Sequence, residues 1–161
     1  MITQQQIEQW LTGRLGDWFE SFEVTVDREE ITILGRLAED SLTDEASLAG
    51  RISRFREDTR EQRIGIAREL EHATGRKVAW GARCGEVERV FTRLSVPVMT
   101  RLKQDERQVL DTLVGSGVAR SRSEALAWCV RLVGQHEGDW LTQLRTAMES
   151  VAGVREQGPK P

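Results

Sequence analysis

Two cysteines, two histidines and an uneven set of arginines are the side chains of this 161-residue chain whose types invite a chemical reading. Cys84 and Cys129 stand apart, with no Cys or His at ligand spacing beside either. Neither a zinc module nor a disulfide scaffold is expected, and both thiols read as small buried hydrophobes. His72 and His136 are equally isolated and read as ordinary surface side chains. No Ser/His/Asp or Cys/His constellation, phosphate-binding glycine loop or paired-carboxylate motif occurs at a recognisable spacing. No catalytic residue, metal site or cofactor is assigned on this basis, and the chain is not expected to be an enzyme.

The arginines carry more information. Arg51, Arg54, Arg56, Arg60, Arg63 and Arg68 interleave with Glu57, Asp58, Glu61, Glu69 and Glu71, a mixed-sign pattern that describes a solvated, self-paired face. Residues 90–134 differ: seven Lys and Arg face four Asp and Glu, a balance of +3 in a chain of net charge -3. Residues 1–89 carry -5 and residues 135–161 carry -1. An electrostatic footprint depends on where positive charge is concentrated, so a locally basic segment is compatible with a nucleic-acid partner despite the acidic total.

The composition is that of a folded, soluble protein, with 39% apolar and 30% charged residues and nine Trp and Phe side chains to anchor a core. No apolar run approaches the ~20 residues of a membrane span. The start, MITQQQIEQWL, lacks the basic and apolar stretches of a signal peptide, so a cytoplasmic protein without membrane contact is expected. Ile7, Trp10 and Leu11 mark a short amphipathic helix with Thr3 as its N-cap, broken at Gly13 and Gly16. Alternation over Phe22–Val26 and Ile31–Leu34, across Asp27–Glu30, predicts a hairpin. Leu48, Ile52, Phe55, Thr59, Ile66, Leu70 and Ala73 form one apolar stripe, which predicts a single long helix from about 40 to 74 with a bend at Gly65. A second hairpin is expected from Lys77–Trp80 and Val87–Phe91, turning at Cys84-Gly85-Glu86. The order α-β-β-α-β-β describes a small α+β layer. Its stretch EVTVDREEITILGRL resembles, at the level of pattern, the BON domain.

From Val96 the chain reads VPVMTRLKQDERQVLDTLVGSGVARSRSEALAWCVRLV. Val98, Thr100 and Leu102 alternate with Pro97, Met99, Arg101 and Lys103, the pattern of a strand. Val109, Leu110, Leu113 and Val114 mark a helix, Gly115-Ser116-Gly117 a break, and Ser121-Arg-Ser-Glu124 the capping box of a second helix with Leu126, Ala127, Val130 and Val133 inward. One strand and two short helices cannot bury themselves; pairing with a second copy would supply both a strand partner and a shared core. Trp128 is then read as dimer core. A last amphipathic helix follows Gly134, with Trp140, Leu141, Leu144, Met148 and Val151 on one side and GPKP as a frayed tail.

Through TRLKQDERQVLDTL and GVARSRSEAL, residues 96–134 resemble the ribbon-helix-helix family of Arc and MetJ, whose paired strands enter the major groove. The resemblance implies an intertwined homodimer on duplex DNA. It implies base reading by Met99, Arg101 and Lys103, with Arg101 suited to guanine O6 and N7 and Met99 to a thymine methyl. A phosphate contact would fall to Arg120, Ser121, Arg122 and Ser123 at a helix N-terminus. Pro97 cannot donate to a ribbon, so an alternative strand over Phe91–Pro97 places Phe91, Arg93 and Ser95 outward instead. The expected architecture is α+β: residues 1–95 a domain of unassigned role, 96–134 the ribbon-helix-helix module, and 135–161 the C-terminal helix and tail. The expected function is a sequence-specific transcriptional regulator, a repressor acting as a homodimer or a higher oligomer. Two alternatives stand beside it. One is a DNA-binding antitoxin, with a toxin or effector held by the N-terminal domain. The other is a dimerisation scaffold that binds no DNA.

Overall fold

The polar-apolar alternation of the first half folds as its period dictates. The structure, a computed structural model, describes residues 2–157. Thr3 opens the first helix, α1 (Gln4–Leu15), with a capping box: its hydroxyl accepts from the Gln6 N–H at 3.3 Å while its own N–H donates to the Gln6 side chain at 2.9 Å. Gly16, at φ 51°, ends the helix, and one 3-10 turn (Gly16–Trp18) leads into β1 (Ser21–Val26) and β2 (Glu30–Arg36). Asp27 closes the hairpin by accepting from the N–H groups of Glu29 and Glu30. Two helices follow, α2 (Glu45–Asp58) and α3 (Arg60–Thr74), then a second hairpin of β3 (Lys77–Cys84) and β4 (Val87–Val90).

The four strands make one mixed sheet in chain order, β1-β2-β3-β4. Both hairpins are antiparallel, whereas β2 and β3 run parallel, with Ile31 opposite Val78 and Ile33 opposite Trp80. This register gathers Val24, Ile31, Ile33, Trp80, Ala82, Cys84 and Val87 on one face, where Ile7 and Leu11 of α1, Ile52 and Phe55 of α2 and Ile66 and Leu70 of α3 cover them. Trp18 packs edge-on against Phe19 and Phe55 at the centre, and the two Phe rings meet at a tilt, with ring centroids 5.0 to 6.3 Å apart. Cys84 is fully buried, which pushes its thiol pKa up.

Three differences from the sequence-based expectation have physical causes. The single helix over 40–74 is two helices, and the break falls at Thr59 rather than Gly65. The Thr59 hydroxyl donates to the Phe55 carbonyl at 2.7 Å, and its backbone (φ -101°, ψ 5°) leaves helical geometry. Arg63 does not belong to a solvated, self-paired face. It is 8% exposed, bonded to the Thr59 hydroxyl and the Arg56 carbonyl, with its guanidinium carbon 4.9 Å from the centre of the Phe91 ring. Burial, and then the charges of Arg56 and Arg60, lower its pKa. Its neighbours conform: Arg54 pairs with Asp58, Arg60 with Glu61 and Arg51 with Asp40.

The third difference is the expected ribbon strand. Among the described residues no strand forms between Phe91 and Lys103, in either of the two registers. Val98 and Met99 are 86% and 95% exposed, so their alternation has no buried face to act on, and Pro97 removes a donor. After this segment come three helices, α4 (Gln104–Gly115), α5 (Arg122–His136) and α6 (Gly138–Glu156). The fold is thus α+β, an α-β-β-α-α-β-β region with a mixed four-stranded sheet and then a three-helix part; the chain divides after Val98 into two compact units. The GPKP ending lies outside the described residues. No helix among the described residues is long and apolar enough to cross a membrane.

Gly35 shows how tightly the first unit is packed. A Cβ there would lie 2.2 Å from the Phe19 ring, whereas a Cβ at Gly13 in α1 would meet nothing within 4 Å. Gly35→Ala is expected to cost about 1–3 kcal/mol through overpacking, while Gly13→Ala gains about 0.5–1 kcal/mol through helix propensity. Urea unfolding of the two variants measures both, and equal midpoints would contradict the packing described.

Candidate nucleic-acid interface

Arg101, Lys103 and Arg107 lie at the entry of the second unit, and Arg120 and Arg122 at the start of α5. Leu102 anchors the entry by packing on the small core of Leu110, Ala119 and Ala125. Lys103 occupies the N-cap position of α4 in extended geometry, and its N–H donates to the Glu106 carboxylate at 2.6 Å. Lysine has no side-chain acceptor, so Glu106 completes the cap from within the first turn, where the helix dipole favours an acid. The ammonium of Lys103 and the guanidinium of Arg101 are exposed and form no ion pair among the described residues.

Gly117, at φ 80°, closes α4. Its N–H donates to the Val114 carbonyl and the Val118 N–H to the Leu113 carbonyl, a Schellman arrangement that only a residue tolerant of positive φ completes without strain. The chain then turns into α5, where the Ser121 hydroxyl accepts from the Glu124 N–H at 3.2 Å. Glu124 reaches one residue further back than a simple capping box, accepting from the Arg120 N–H at 2.8 Å. Arg122 grips Asp111 of α4 with two hydrogen bonds of 2.7 and 2.8 Å. That pairing raises the Arg122 pKa and lowers that of Asp111. It clamps the start of α5 to α4 across the turn.

The expected site residues therefore divide. Met99, Arg101 and Lys103 share the exposed entry to the second unit, and Arg120, Ser121, Arg122 and Ser123 share the exposed start of α5. Arg122 is already engaged, so an anion at this helix end would have to compete with Asp111, while the Arg120 side chain has no such partner among the described residues. Arg93 and Ser95 belong to the first unit, where they line a shallow depression with Glu30, Thr32 and Val90. The Asp111–Arg122 clamp was not foreseen. Eleven residues apart on one helix they would stand about 16 Å from each other, and only the Gly117 turn brings the two together.

Comparison with known proteins gives two family matches. Residues 5–90 match the model described as Rv1265-like protein, N-terminal domain, and residues 103–155 match that described as Mb1296 C-terminal domain. The chain is 56% identical over 156 residues to Rv1265 of Mycobacterium tuberculosis and to Mb1296 of Mycobacterium bovis, both named as uncharacterized proteins. Each alignment covers 94% of this chain and 69% of the relative. No solved structure matches. These matches overturn the assignment to the ribbon-helix-helix family and the pattern-level BON likeness. The C-terminal match begins at residue 103, where the expected strand ends, and runs on through most of α6.

The clamp has a pH signature. Hydrogen bonds from Arg122 hold the Asp111 carboxyl below its ordinary value, so its stabilising contribution is present above that value and lost as pH falls through the lowered one. Asp111→Asn should unfold earlier than the parent near neutral pH, with the difference shrinking as pH falls below the ordinary carboxylate range. Thermal melts followed by circular dichroism across that range test this, and a gap that ignores pH would refute it.

Proposed function

The chain belongs to the Rv1265-like family, and from its own charge layout we propose that it is a DNA-binding transcriptional regulator whose second unit carries the duplex contact. One observation supports this reading above the others: Arg101 and Lys103 stand exposed at the entry of that unit, with no ion pair among the described residues, in a segment whose balance is +3 within an acidic chain. Most arginines of α2 and α3 sit among carboxylates, which cancel their attraction for phosphate. Arg101 and Lys103 lack that compensation, and duplex affinity comes mainly from neutralised phosphates.

Within this reading Lys103 and Arg120 meet backbone phosphates. Arg101, with a planar fork of donors, suits a guanine edge, and Met99 offers apolar contact to a thymine methyl. No ribbon is required for these roles. The first unit, acidic and well packed, is the part suited to regulation rather than to DNA.

The test is binding of the full chain to genomic duplex fragments over a range of salt. Affinity should fall with a slope of about −0.9 per phosphate contacted. Lys103→Ala should shallow that slope by about one such contact, Arg101→Ala should cost about 1–3 kcal/mol on a selected site, and Arg28→Ala in the β1–β2 turn should change neither. A chain that retains no fragment at low salt sinks the proposal and leaves the scaffold alternative.

A further inference from the structure

We propose that the apolar face of α6, continued by the end of α5, is an interface between two copies of this chain. The second unit is short of a core. Among its described residues only Leu110, Ala119 and Ala125 are buried hydrophobics, and units of about this size need a larger core or a partner. The missing apolar surface is present but uncovered. No described side chain of α6 is buried, although the helix runs 19 residues, about 28 Å.

The exposed residues are ordered. Leu141, Leu144, Met148 and Val151 follow the 3-4-3 spacing of two heptads, with Trp140 and Val154 on one flank. Thr142, Glu149 and Ser150 lie away from this seam. Trp140 is 54% exposed, Met148 70% and Val154 67%; on α5, Val130 is 65% and Val133 50% exposed. Together the open parts of these side chains amount to on the order of 700 Å² per copy, close to the roughly 800 Å² that each partner brings to a standard interface.

A second copy fits this surface better than a foreign chain. The seam is apolar at every position from Leu141 to Val151, with no buried polar residue to set a register against another sequence. Its Trp140 flank carries small or apolar residues, Ala147 and Val154, where charges that select unlike partners usually sit. A uniform seam of this kind is complementary to itself about a two-fold axis. It also resolves the stability problem of the unit, because the copy that completes the core is made with it.

Sedimentation equilibrium of the full chain without nucleic acid tests the inference. The expected result is twice the chain mass, and Met148→Asp should weaken the association on the order of 100-fold by placing a charge in the seam. Thr146→Asp, on the opposite side of α6, should leave it unchanged. Should Met148→Asp fail to fold, the parent protein still decides: its melting midpoint must rise with protein concentration if folding and association are linked. A parent chain that is monomeric at about 100 μM with a concentration-independent midpoint, or a Met148→Asp variant that pairs as well as the parent, overturns the proposal. None of these readouts involves DNA, so the outcome is independent of the duplex contact proposed above.

Discussion

The parallel pairing of β2 with β3 is the constraint from which the first unit follows. Two antiparallel hairpins close with short turns, but strands that run side by side in the same direction need a crossover long enough to carry the chain back across the sheet. Residues 37–76 are that crossover, and α2 and α3 are what it consists of. Once they lie across the sheet, the face they cover must be apolar at every second strand position. Ile31, Ile33, Trp80 and Ala82 meet this requirement in register. The kink at Thr59 belongs to the same geometry. It lets Phe55 reach the aromatic cluster at one end while Leu70 reaches Trp80 at the other, and it draws Arg63 inside against Phe91.

The burial of Arg63 illustrates what such a fold tolerates. A guanidinium without a carboxylate partner is costly in an apolar site, yet here its charge is met by the Thr59 hydroxyl, the Arg56 carbonyl and the negative face of an aromatic ring. The kink frees the Arg56 carbonyl, which a straight helix would have used in its own ladder, and Thr59 serves both ends of the arrangement, bonding back to Phe55 and accepting from Arg63. Break and buried cation therefore sustain one another, and neither is explained alone.

How much of this could be read beforehand depends on whether a signal was local. The hairpins were legible because alternation next to buried helices is decisive; Thr3 as a cap and the apolar stripe from Leu48 to Leu70 were legible for the same reason. Thr59 was placed correctly on the buried stripe, but nothing in period 3.6 tells a helix interior from a kink stabilised by a side chain bonding four residues back. The alternation from Val98 to Lys103 misled because period 2 predicts a strand only where one face is buried, and there Leu102 alone finds cover. At the candidate site, the cap at Ser121 and the exposure of Arg101 were accessible from type and spacing. The engagement of Arg122 by Asp111 was not, since it depends on the angle at which Gly117 sends the chain into α5.

The two units solve stability differently, and this bears on where function is sought. The first fills its interior with aromatic and branched side chains, pairs several of its charges with one another and carries a net negative surface. Among its described residues the second buries little, leaves an ordered apolar seam outside and keeps Arg101, Lys103 and Arg120 without ion-pair partners. A segment in that condition has not exhausted its interactions within its own chain. Uncovered apolar area gains free energy only by meeting more apolar area, and an unpaired guanidinium gains it by meeting an anion. These are separate demands made by separate residues, Met148 and its neighbours on α6 and Arg101 with Lys103 at the entry to α4. Partners of two kinds can therefore be accommodated without competition for the same side chains.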